Sequence, residues 1–510
     1  MVDPDDESFD KLPSTSSLRQ AQGEREWPFD PSTSSGQALR ANGIVAHMRH
    51  LSALDALFLQ LETPETPMHV GSLMLLDKPP GKKSAYKAIR DHVAGRMSIA
   101  PLFTRRLAFM PLDLASPLWV DADPVDLDYH IRHLRLPKPG SEAQLEDAIA
   151  RLHEGMLERD RPLWVFTVID GLKSGQVGIY AKIHHAALDG QGGIAVAQAL
   201  LDTQPKPRRV APAAHAARKP PTIAKMIGAA LRHTVAQYGR LVQGVPGVVK
   251  AVAAGGAVAL SSAELRKLGL TLGPRTPLNM TIGARRVWVG TRIPLAQAKA
   301  IARHFDAKLN DVVLATCAGA LRRQYKGNAT ALAKPMIGAV PVSLRVPGDT
   351  TRANDVSMML VTLATNIADP AKRMAAIVAA SGRAKRLTGS VKGAIPLDLP
   401  SLGIPWLMAA VTPLYRKAMG TSRVPVLANV AISNVPGPQV PLYMAGGRLR
   451  AYYPVSIVTH GLGLNVTILS YDGSLHYGLV SARDALPDLR AFAGYLQDAH
   501  RELMKIARKK

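Results

Sequence analysis

The sequence predicts an α/β protein of two layered domains joined by a linker. Three observations lead to this prediction. The chain has 510 residues, more than one hydrophobic core usually organises, so two domains of roughly 200 residues each are expected. Segments of strand periodicity alternate with segments of helical periodicity, as in layered α/β domains. A stretch rich in Pro, Ala and basic residues, 203–221, interrupts this alternation.

The first 47 residues differ in composition from the rest. Segments 9–23 and 29–43 both contain PSTSS, and both are polar, Ser-rich and without a usable apolar period. Such a segment cannot bury enough apolar surface to fold. We interpret residues 1–47 as a disordered leader, which a start codon placed too early would explain, and Met48 as the start of the globular pattern.

The first predicted domain, 48–202, alternates helices and strands. Ser52 is the predicted N-cap of its first helix. The predicted helices are 50–62, 84–97, 141–160 and 193–202, and the predicted strands are 69–77, 165–170 and 176–185.

Residues 203–280 are predicted to form a linker and a crossover segment. Within 223–260, apolar residues are mixed with Lys225, Arg232, Arg240 and Lys250. Two interpretations stay open: a core or crossover helix pair, or a basic amphipathic segment that lies on an anionic membrane.

The second predicted domain, 281–510, repeats the alternation. A hairpin is expected to turn at Asp472–Gly473, a pair typical of two-residue hairpin loops. The last helix ends in basic residues, which suit the negative end of the helix dipole. The predicted strands are 285–294, 336–345, 357–365, 426–435, 455–473 and 474–482, and the predicted helices are 295–305, 310–325 and 486–510.

Composition limits the function classes. Apolar residues make up 47% of the chain, which excludes a mainly disordered protein. Cys317 is the single cysteine, so an intrachain disulfide framework is excluded. The net charge is +24, of which residues 1–47 carry −4, and the resulting +28 on the remainder implies anionic partners. Aromatic residues make up 5% and no zinc-finger or RNA-stacking signature is present, so nucleic acid is not expected.

The stretch AKIHHAALDGQGG (181–193) carries the most chemistry. Neighbouring strand residues point to opposite faces, so His184 and His185 cannot both face one site, which weakens a metal site. The pattern favours one histidine as a general base, since the unperturbed pKa of imidazole is about 6.5. Asp189 would orient the turn, and Gly190 would let the chain enter the next helix. The alternative is that Asp189 caps the helix and both histidines are core residues.

HHAALDG (184–190) matches the HHxxxDG signature of the CoA-dependent acyltransferase superfamily. With the flanking motifs, the sequence resembles the bacterial wax ester synthase/diacylglycerol acyltransferase family over roughly 48–505. The motifs that carry this resemblance, in chain order, are LSALDALFLQLETPETPMHVGSL (51–73), SPLWV (116–120), DRPLW (160–164), RTPLN (275–279), LNDVVLA (309–315), PVSLR (341–345), SNVPGP (433–438) and THGLGLNVTILSYDG (459–473).

The resemblance implies two chloramphenicol-acetyltransferase-like domains with the active site in a channel between them. It implies that His185 is the general base of an acyl transfer from a fatty acyl-CoA to the hydroxyl of a diacylglycerol or a long-chain alcohol. His184, Asp189 and Gly190 complete the catalytic motif. No cofactor is implied, since acyl-CoA is a substrate, and Cys317 is expected to be a packing residue.

The resemblance also suggests substrate-side residues. Arg345 is the candidate partner of Asp189, with a phosphate or surface contact as its alternative. Asn310 and Asp311 match the family's Asn-Asp motif, although a helix N-cap and a first-turn acid are equally expected there. Three further residues are candidates for lining the acyl tunnel, for substrate contact and as a rival base. They are Trp164, Asn434 and His460, respectively. His460 is expected to stand alone on a strand, without a nearby acid.

The expected location is cytoplasmic, with peripheral attachment to the inner membrane or to lipid inclusions, because basic surfaces attract anionic headgroups. Two rival functions remain. One is a condensation-like acyltransferase that acts on an amine or a polyketide hydroxyl. The other is a non-catalytic, basic lipid-binding protein.

Overall fold

The computed structural model describes residues 49–122, 124–188, 192–210, 228, 271–343, 356–390, 412–413, 416–417, 421 and 424–509. The helices are α1 (Ala53–Leu61), α2 (Ala85–Ala94), α3 (Leu127–His130), α4 (Glu142–Glu154), α5 (Gly192–Leu200), α6 (Leu295–His304), α7 (Leu309–Gln324), α8 (Ala329–Leu332), α9 (Pro370–Ser390) and α10 (Leu489–Arg508). None of these helices combines the length and apolar character needed to cross a membrane.

The strands form two six-stranded mixed sheets and one small sheet. They are β1 (Arg49–His50), β2 (His69–Leu76), β3 (Arg105–Ala108), β4 (Leu118–Asp121), β5 (Ile131–Arg135), β6 (Trp164–Asp170), β7 (Val177–His184), β8 (Arg286–Pro294), β9 (Ile337–Ser343), β10 (Val356–Thr362), β11 (Val430–Val435), β12 (Tyr443–Met444), β13 (Gly447–Val455), β14 (Leu464–Tyr471) and β15 (Ser474–Ala482).

The first sheet has the order β12-β13-β2-β7-β6-β5. All of its neighbours are antiparallel except β5 and β6. The two strands at one side of this sheet, β12 and β13, come from the C-terminal half of the chain, whereas the other four come from the N-terminal half. The limits of the two domains, 48–202 and 281–510, stay a prediction. The first sheet takes strands from both of these predicted domains.

The second sheet has the order β10-β9-β11-β14-β15-β8. β11 lies parallel to both β9 and β14, and the other pairs are antiparallel. β14 and β15 form the predicted hairpin, in which Asp472 and Gly473 have φ values of 41° and 77°. Two consecutive positive φ values suit the right-handed twist of the strands, so the predicted turn is confirmed.

Helix α4 lies between the two sheets. Leu145 and Ile149 of α4 share one core with Tyr180 of β7 and with the strands of the second sheet. The opposite face of β7, through Ile179 and Ile183, packs with α2 and α5 instead. The alternation of β7 therefore sends Tyr180, Lys182 and His184 toward α4.

The two sheets contact each other closely at Gly478 of β15. A Cβ built on Gly478 would lie 1.7 Å from the carbonyl oxygen of Pro454 in β13. No side chain fits in that space, so glycine is required where the second sheet contacts the edge of the first.

A buried ion pair fixes the end of the N-terminal half. Arg96 donates to Asp202 at 2.8 Å, and both side chains are almost inaccessible to water. Asp202 also exchanges backbone hydrogen bonds with Tyr443 of β12. The first residues of the predicted linker, 203–210, stay beside this anchor, because the Arg208 carbonyl accepts from Arg96 at 3.1 Å and the Arg208 guanidinium donates to the Ala199 carbonyl at 3.0 Å. The remainder of the linker and most of 223–260 lie outside the described residues, as do residues 1–47.

Most predicted elements are confirmed within a few residues of their expected ends. Ser52 caps α1 by accepting a hydrogen bond from the Asp55 amide at 3.1 Å, as predicted. The predicted helix 141–160 is too long, because α4 ends at Glu154 and Gly155 follows in an extended conformation. The expectation that Asn310 or Asp311 starts α7 is wrong, since α7 begins at Leu309.

The predicted strand 455–473 is too long, because only its second half forms a strand, β14. β13 ends at Val455 and β14 begins at Leu464, and a tight turn between Thr459 and Leu462 separates them. His460 lies in this turn rather than on a strand. Its expected isolation from acidic groups is also wrong, because Glu65 acts on it electrostatically.

Candidate active site

The two adjacent histidines lie where β7 ends. His184 is the last residue of β7, and His185 begins a short 3-10 turn that runs to Ala187. The His185 amide donates to the Met68 carbonyl at 2.8 Å, which ties the turn to the chain before β2. Because the strand changes to a turn between them, the side chains of His184 and His185 lie in different surroundings. The sequence predicted that the two would not face one site.

His184 is fully buried and caps the turn. Its Nδ1 accepts a hydrogen bond from the Ala186 amide at 3.0 Å. Because Nδ1 is an acceptor, a neutral ring carries its proton on Nε2. Nε2 lies 3.3 Å from Oε1 of Glu62, an electrostatic contact whose geometry falls short of a hydrogen bond.

Glu62 supplies a buried carboxylate behind the histidine pair. Its Oε1 accepts from the Met68 amide at 3.0 Å, and its Oε2 accepts from Arg159 at 2.9 Å. Burial raises the pKa of Glu62, but the His184 ring, the Met68 amide and Arg159 together outweigh burial and lower that pKa. The carboxylate is therefore charged at neutral pH, and three groups fix its orientation.

His185 has a different environment. Its ring stacks on Phe58 of α1, with centroids 3.9 Å apart and planes 23° from parallel. Burial lowers the pKa of His185 to about 4. The imidazole is therefore neutral at physiological pH, with a nitrogen lone pair that can accept a proton.

A second pair of buried histidines lies on the same face of the first sheet. His69 is the cross-strand partner of His184, and its Nε2 lies 2.8 Å from the His153 carbonyl oxygen. His153 accepts from the Tyr180 hydroxyl at 2.7 Å and reaches the Ser456 carbonyl at 3.1 Å. Burial lowers the pKa of His153 to about 3, so this ring is neutral and joins α4 to both halves of the chain.

Trp164 pairs with Ile183 beside the histidine turn, but its side chain packs in the core on the opposite face of the first sheet from His184. Trp164 is fully buried, donates to the Phe103 carbonyl at 3.2 Å and stacks on His130. These are contacts within the core, and the role of Trp164 in lining an acyl tunnel stays a prediction. Cys317 is also buried in the core, and burial raises the pKa of its thiol to about 12.

The remaining candidates for substrate contact lie on α7 and β11. Asp311 is buried in the first turn of α7, where its carboxylate accepts from the Lys308 amide at 3.0 Å and from Ser381 at 2.6 Å. These bonds match the first-turn acid that was the alternative for Asp311. Asn310 is half-buried beside it, and Asn434 is half-buried on β11. Asp189, Gly190 and Arg345 lie outside the described residues.

Sequence reasoning missed Glu62, Arg159 and Phe58. Glu62 and Phe58 lie within the quoted motif 51–73, and Arg159 comes directly before the DRPLW motif. The available signal for Glu62 was its position as an acidic residue at the end of the predicted helix 50–62. Nothing in the sequence shows that Glu62 meets His184, which lies 122 positions further along the chain.

Two family profiles match the chain. Residues 51–313 match the "Wax ester synthase/diacylglycerol acyltransferase catalytic domain", and residues 353–504 match the "WS/DGAT C-terminal domain". A protein of Mycobacterium tuberculosis (strain H37Rv), provisionally named a diacylglycerol O-acyltransferase, is 36% identical over 89% of this chain and 99% of its own length.

Two solved structures are similar in fold. A wax ester synthase/diacylglycerol acyltransferase from Marinobacter aquaeolei VT8 matches with a TM-score of 0.63 and 28% identity, over 90% of this chain and 99% of that chain. The first condensation domain of the calcium-dependent antibiotic synthetase matches with a TM-score of 0.50 and 15% identity, over 91% and 97%, which shows a common fold alone. The predicted fold class is confirmed by these two matches.

Proposed function

Because the chain belongs to the wax ester synthase/diacylglycerol acyltransferase family, a family of acyl-CoA-dependent acyltransferases, we propose a specific reaction for it. A long-chain fatty acyl group passes from acyl-CoA to the hydroxyl of a diacylglycerol or a long-chain alcohol. His185 is the general base. The products are a triacylglycerol or a wax ester and free CoA.

The neutral ring of His185, held beside an immobilised His184, is the observation that carries this proposal. A neutral imidazole accepts the hydroxyl proton as the alcohol oxygen attacks the thioester carbonyl. A C–O bond forms, the C–S bond breaks, and the CoA sulfur leaves with the proton that His185 returns. The ring needs a fixed position, because proton transfer requires hydrogen-bond distance to the hydroxyl.

Direct transfer, without a covalent acyl-enzyme, fits the described residues. Cys317 would be the strongest nucleophile by residue type, but it is buried and burial raises the pKa of its thiol to about 12. A thiol with that pKa holds almost no thiolate at neutral pH. One base and two bound substrates are sufficient for the reaction.

Within this mechanism, His184 and Glu62 are positioning residues. His184 caps the turn that carries His185, and Glu62 holds the His184 ring through Nε2. Asp189, Gly190 and Arg345 keep their predicted roles in the turn and as the aspartate's partner. Asn310 and Asn434 stay candidates for substrate contact.

Contact with an anionic membrane or lipid inclusion, within the cytoplasm, also belongs to the proposal. The acyl acceptors are lipids, and the net charge of +24 favours anionic surfaces. Among the described residues, Phe109 and Leu112 in the loop between β3 and β4 are 43% and 83% exposed. Sedimentation with anionic and zwitterionic vesicles tests the contact, and equal sedimentation with both would contradict an electrostatic attachment.

The deciding experiment follows thiol release from palmitoyl-CoA with dioleoylglycerol and, separately, with hexadecanol. We expect release to require an acceptor and to fall about 100- to 10,000-fold in His185→Ala, the range that general-base catalysis contributes. His304→Ala, which removes an exposed imidazole at the end of α6, is the matched control and should keep wild-type activity. Wild-type rates in His185→Ala would refute His185 as the base.

A further inference from the structure

A cationic cavity lies on the α4 face of the first sheet. Its volume is about 180 Å³, and it is lined by residues of β5, β6, β7 and the end of α4. Three of these residues are basic: Arg132, Arg151 and Lys182. No aspartate or glutamate lines the cavity.

Lys182 is the buried member of this set. It points toward α4, and its ammonium donates to the Leu152 and Gly155 carbonyls at 2.8 and 2.7 Å. These bonds cap the end of α4 and use two of its three N–H groups. A structural cap therefore accounts for the position of the ammonium, but it neutralises no charge.

Arg132 and Arg151 bring two more positive charges to the same cavity. Arg132 is the cross-strand partner of Thr167, which in turn pairs with Tyr180, so Arg132 faces the α4 side of the sheet. Both guanidinium groups belong to exposed residues. Burial and, to a lesser degree, the charge of Arg132 lower the pKa of Lys182 to about 8, although the carboxylate of Glu62 acts in the opposite direction.

The neighbouring cations differ in having carboxylate partners. Arg90, Arg159 and Arg161 all form ion pairs at 2.8 to 3.1 Å. Within the described part of the chain, neither Arg132 nor Arg151 forms an ion pair, and Lys182 forms none either. A cluster of cations around a cavity that no carboxylate lines is an arrangement that a bound anion stabilises.

We propose that this cavity binds a phosphate group of an amphiphilic ligand. Two guanidinium forks and one ammonium match a phosphate dianion better than a single carboxylate. Leu152, Met156 and Leu157 line the same cavity, so an apolar part of the ligand also finds contacts. The phosphate is either one of those of acyl-CoA or the headgroup of a phosphatidate. The site does not require His185 to be the base.

Calorimetric titration of the full chain, without any acyl acceptor, tests the proposal. The probes are sodium phosphate, coenzyme A, and dioleoylphosphatidylcholine vesicles with and without dioleoylphosphatidate. The tightest of the probes identifies the source of the phosphate. Arg132→Ala and Arg151→Ala should each weaken binding about tenfold, since each removes a charge-assisted contact.

Arg135→Ala is the matched control. Arg135 is an exposed arginine on the same strand as Arg132, but it does not line the cavity. It should change binding less than about twofold, as expected for a screened surface charge. The melting temperature of each variant verifies folding, and His185→Ala should bind the probes like the wild type. Absence of binding by every probe, or equal weakening in Arg135→Ala, would overturn the proposal.

Discussion

Replacement of Glu62 by glutamine tests whether a buried carboxylate fixes the histidine turn. The substitution keeps the shape of the side chain and removes its charge. In the folded protein, the carboxylate accepts from the Met68 amide at 3.0 Å and from Arg159 at 2.9 Å, and it lies 3.3 Å from Nε2 of His184. The amide nitrogen of glutamine can accept none of these hydrogen bonds.

The expected loss of stability follows from these contacts. A hydrogen bond to a charged group contributes about 1.5–3 kcal/mol, but the side chain of Arg159 is 31% exposed and water replaces part of its bond. The remaining amide oxygen can still accept from Met68 or His184. We therefore expect Glu62→Gln to lower the free energy of unfolding by about 2 kcal/mol.

The expected loss of activity is larger than that of binding. Glu62 acts through His184 on the turn that carries His185, and a displacement of about 1 Å at a reacting group can cost about 100-fold in rate. We expect kcat to fall about 10- to 100-fold, with KM for palmitoyl-CoA nearly unchanged. Thiol release at varied substrate concentration measures both constants.

Glu158→Gln is the control for the change of charge. Glu158 is an exposed carboxylate that pairs with Arg161, close in the chain to Arg159. It should leave kcat and stability near their wild-type values, because exposed ion pairs contribute little. A folded Glu62→Gln protein with wild-type kcat, or with a raised KM alone, would refute the positioning role of Glu62.

Three further predictions concern pH, stability and packing. The value of kcat/KM should stay constant from neutral pH down to near 4, because burial lowers the pKa of His185 to about 4 and only the neutral ring is a base. A fall in kcat/KM centred near pH 6.5 would contradict this. Asp202→Asn breaks a buried ion pair and should cost about 3–5 kcal/mol in chemical denaturation. Asp77→Asn, in an exposed pair, should cost less than about 1 kcal/mol, and equal costs would show that burial is irrelevant. Gly478→Ala places a Cβ 1.7 Å from the Pro454 carbonyl oxygen and should lower the melting temperature, whereas unchanged melting would mean that the two sheets separate easily.

Local periodicity predicted most of the elements that position the site. The Ser52 cap, the strand that ends in the histidine pair and the Asp472–Gly473 hairpin all follow from residues close together in the chain. The errors at the ends of α4 and α7 are of a few residues, and they arise because helix ends depend on neighbouring packing.

Long-range partners could not be predicted from the same patterns. The salt bridge of Glu62 joins it to residues about a hundred positions away, and β13 pairs with β2 across most of the chain. Pairing of this kind depends on which strand edges remain available once the first sheet has formed. The side-chain environment of Trp164 was also not predictable. No local feature of a family motif distinguishes an aromatic residue that lines a tunnel from one that packs in a core.

The first sheet contains β12 and β13 from the C-terminal half of the chain. A cut in the linker would therefore remove two strands from that sheet. A fragment that ends in the linker near residue 210 would contain β2, β5, β6 and β7, and the edge of β2 would lack its partner β13. An open strand edge next to an apolar face favours aggregation. Two separately produced halves should therefore be insoluble or unstable alone but reassemble when expressed together, with the C-terminal fragment donating its strands in trans. The two fragments would then form a split protein, in which recovery of activity reports that the halves have joined.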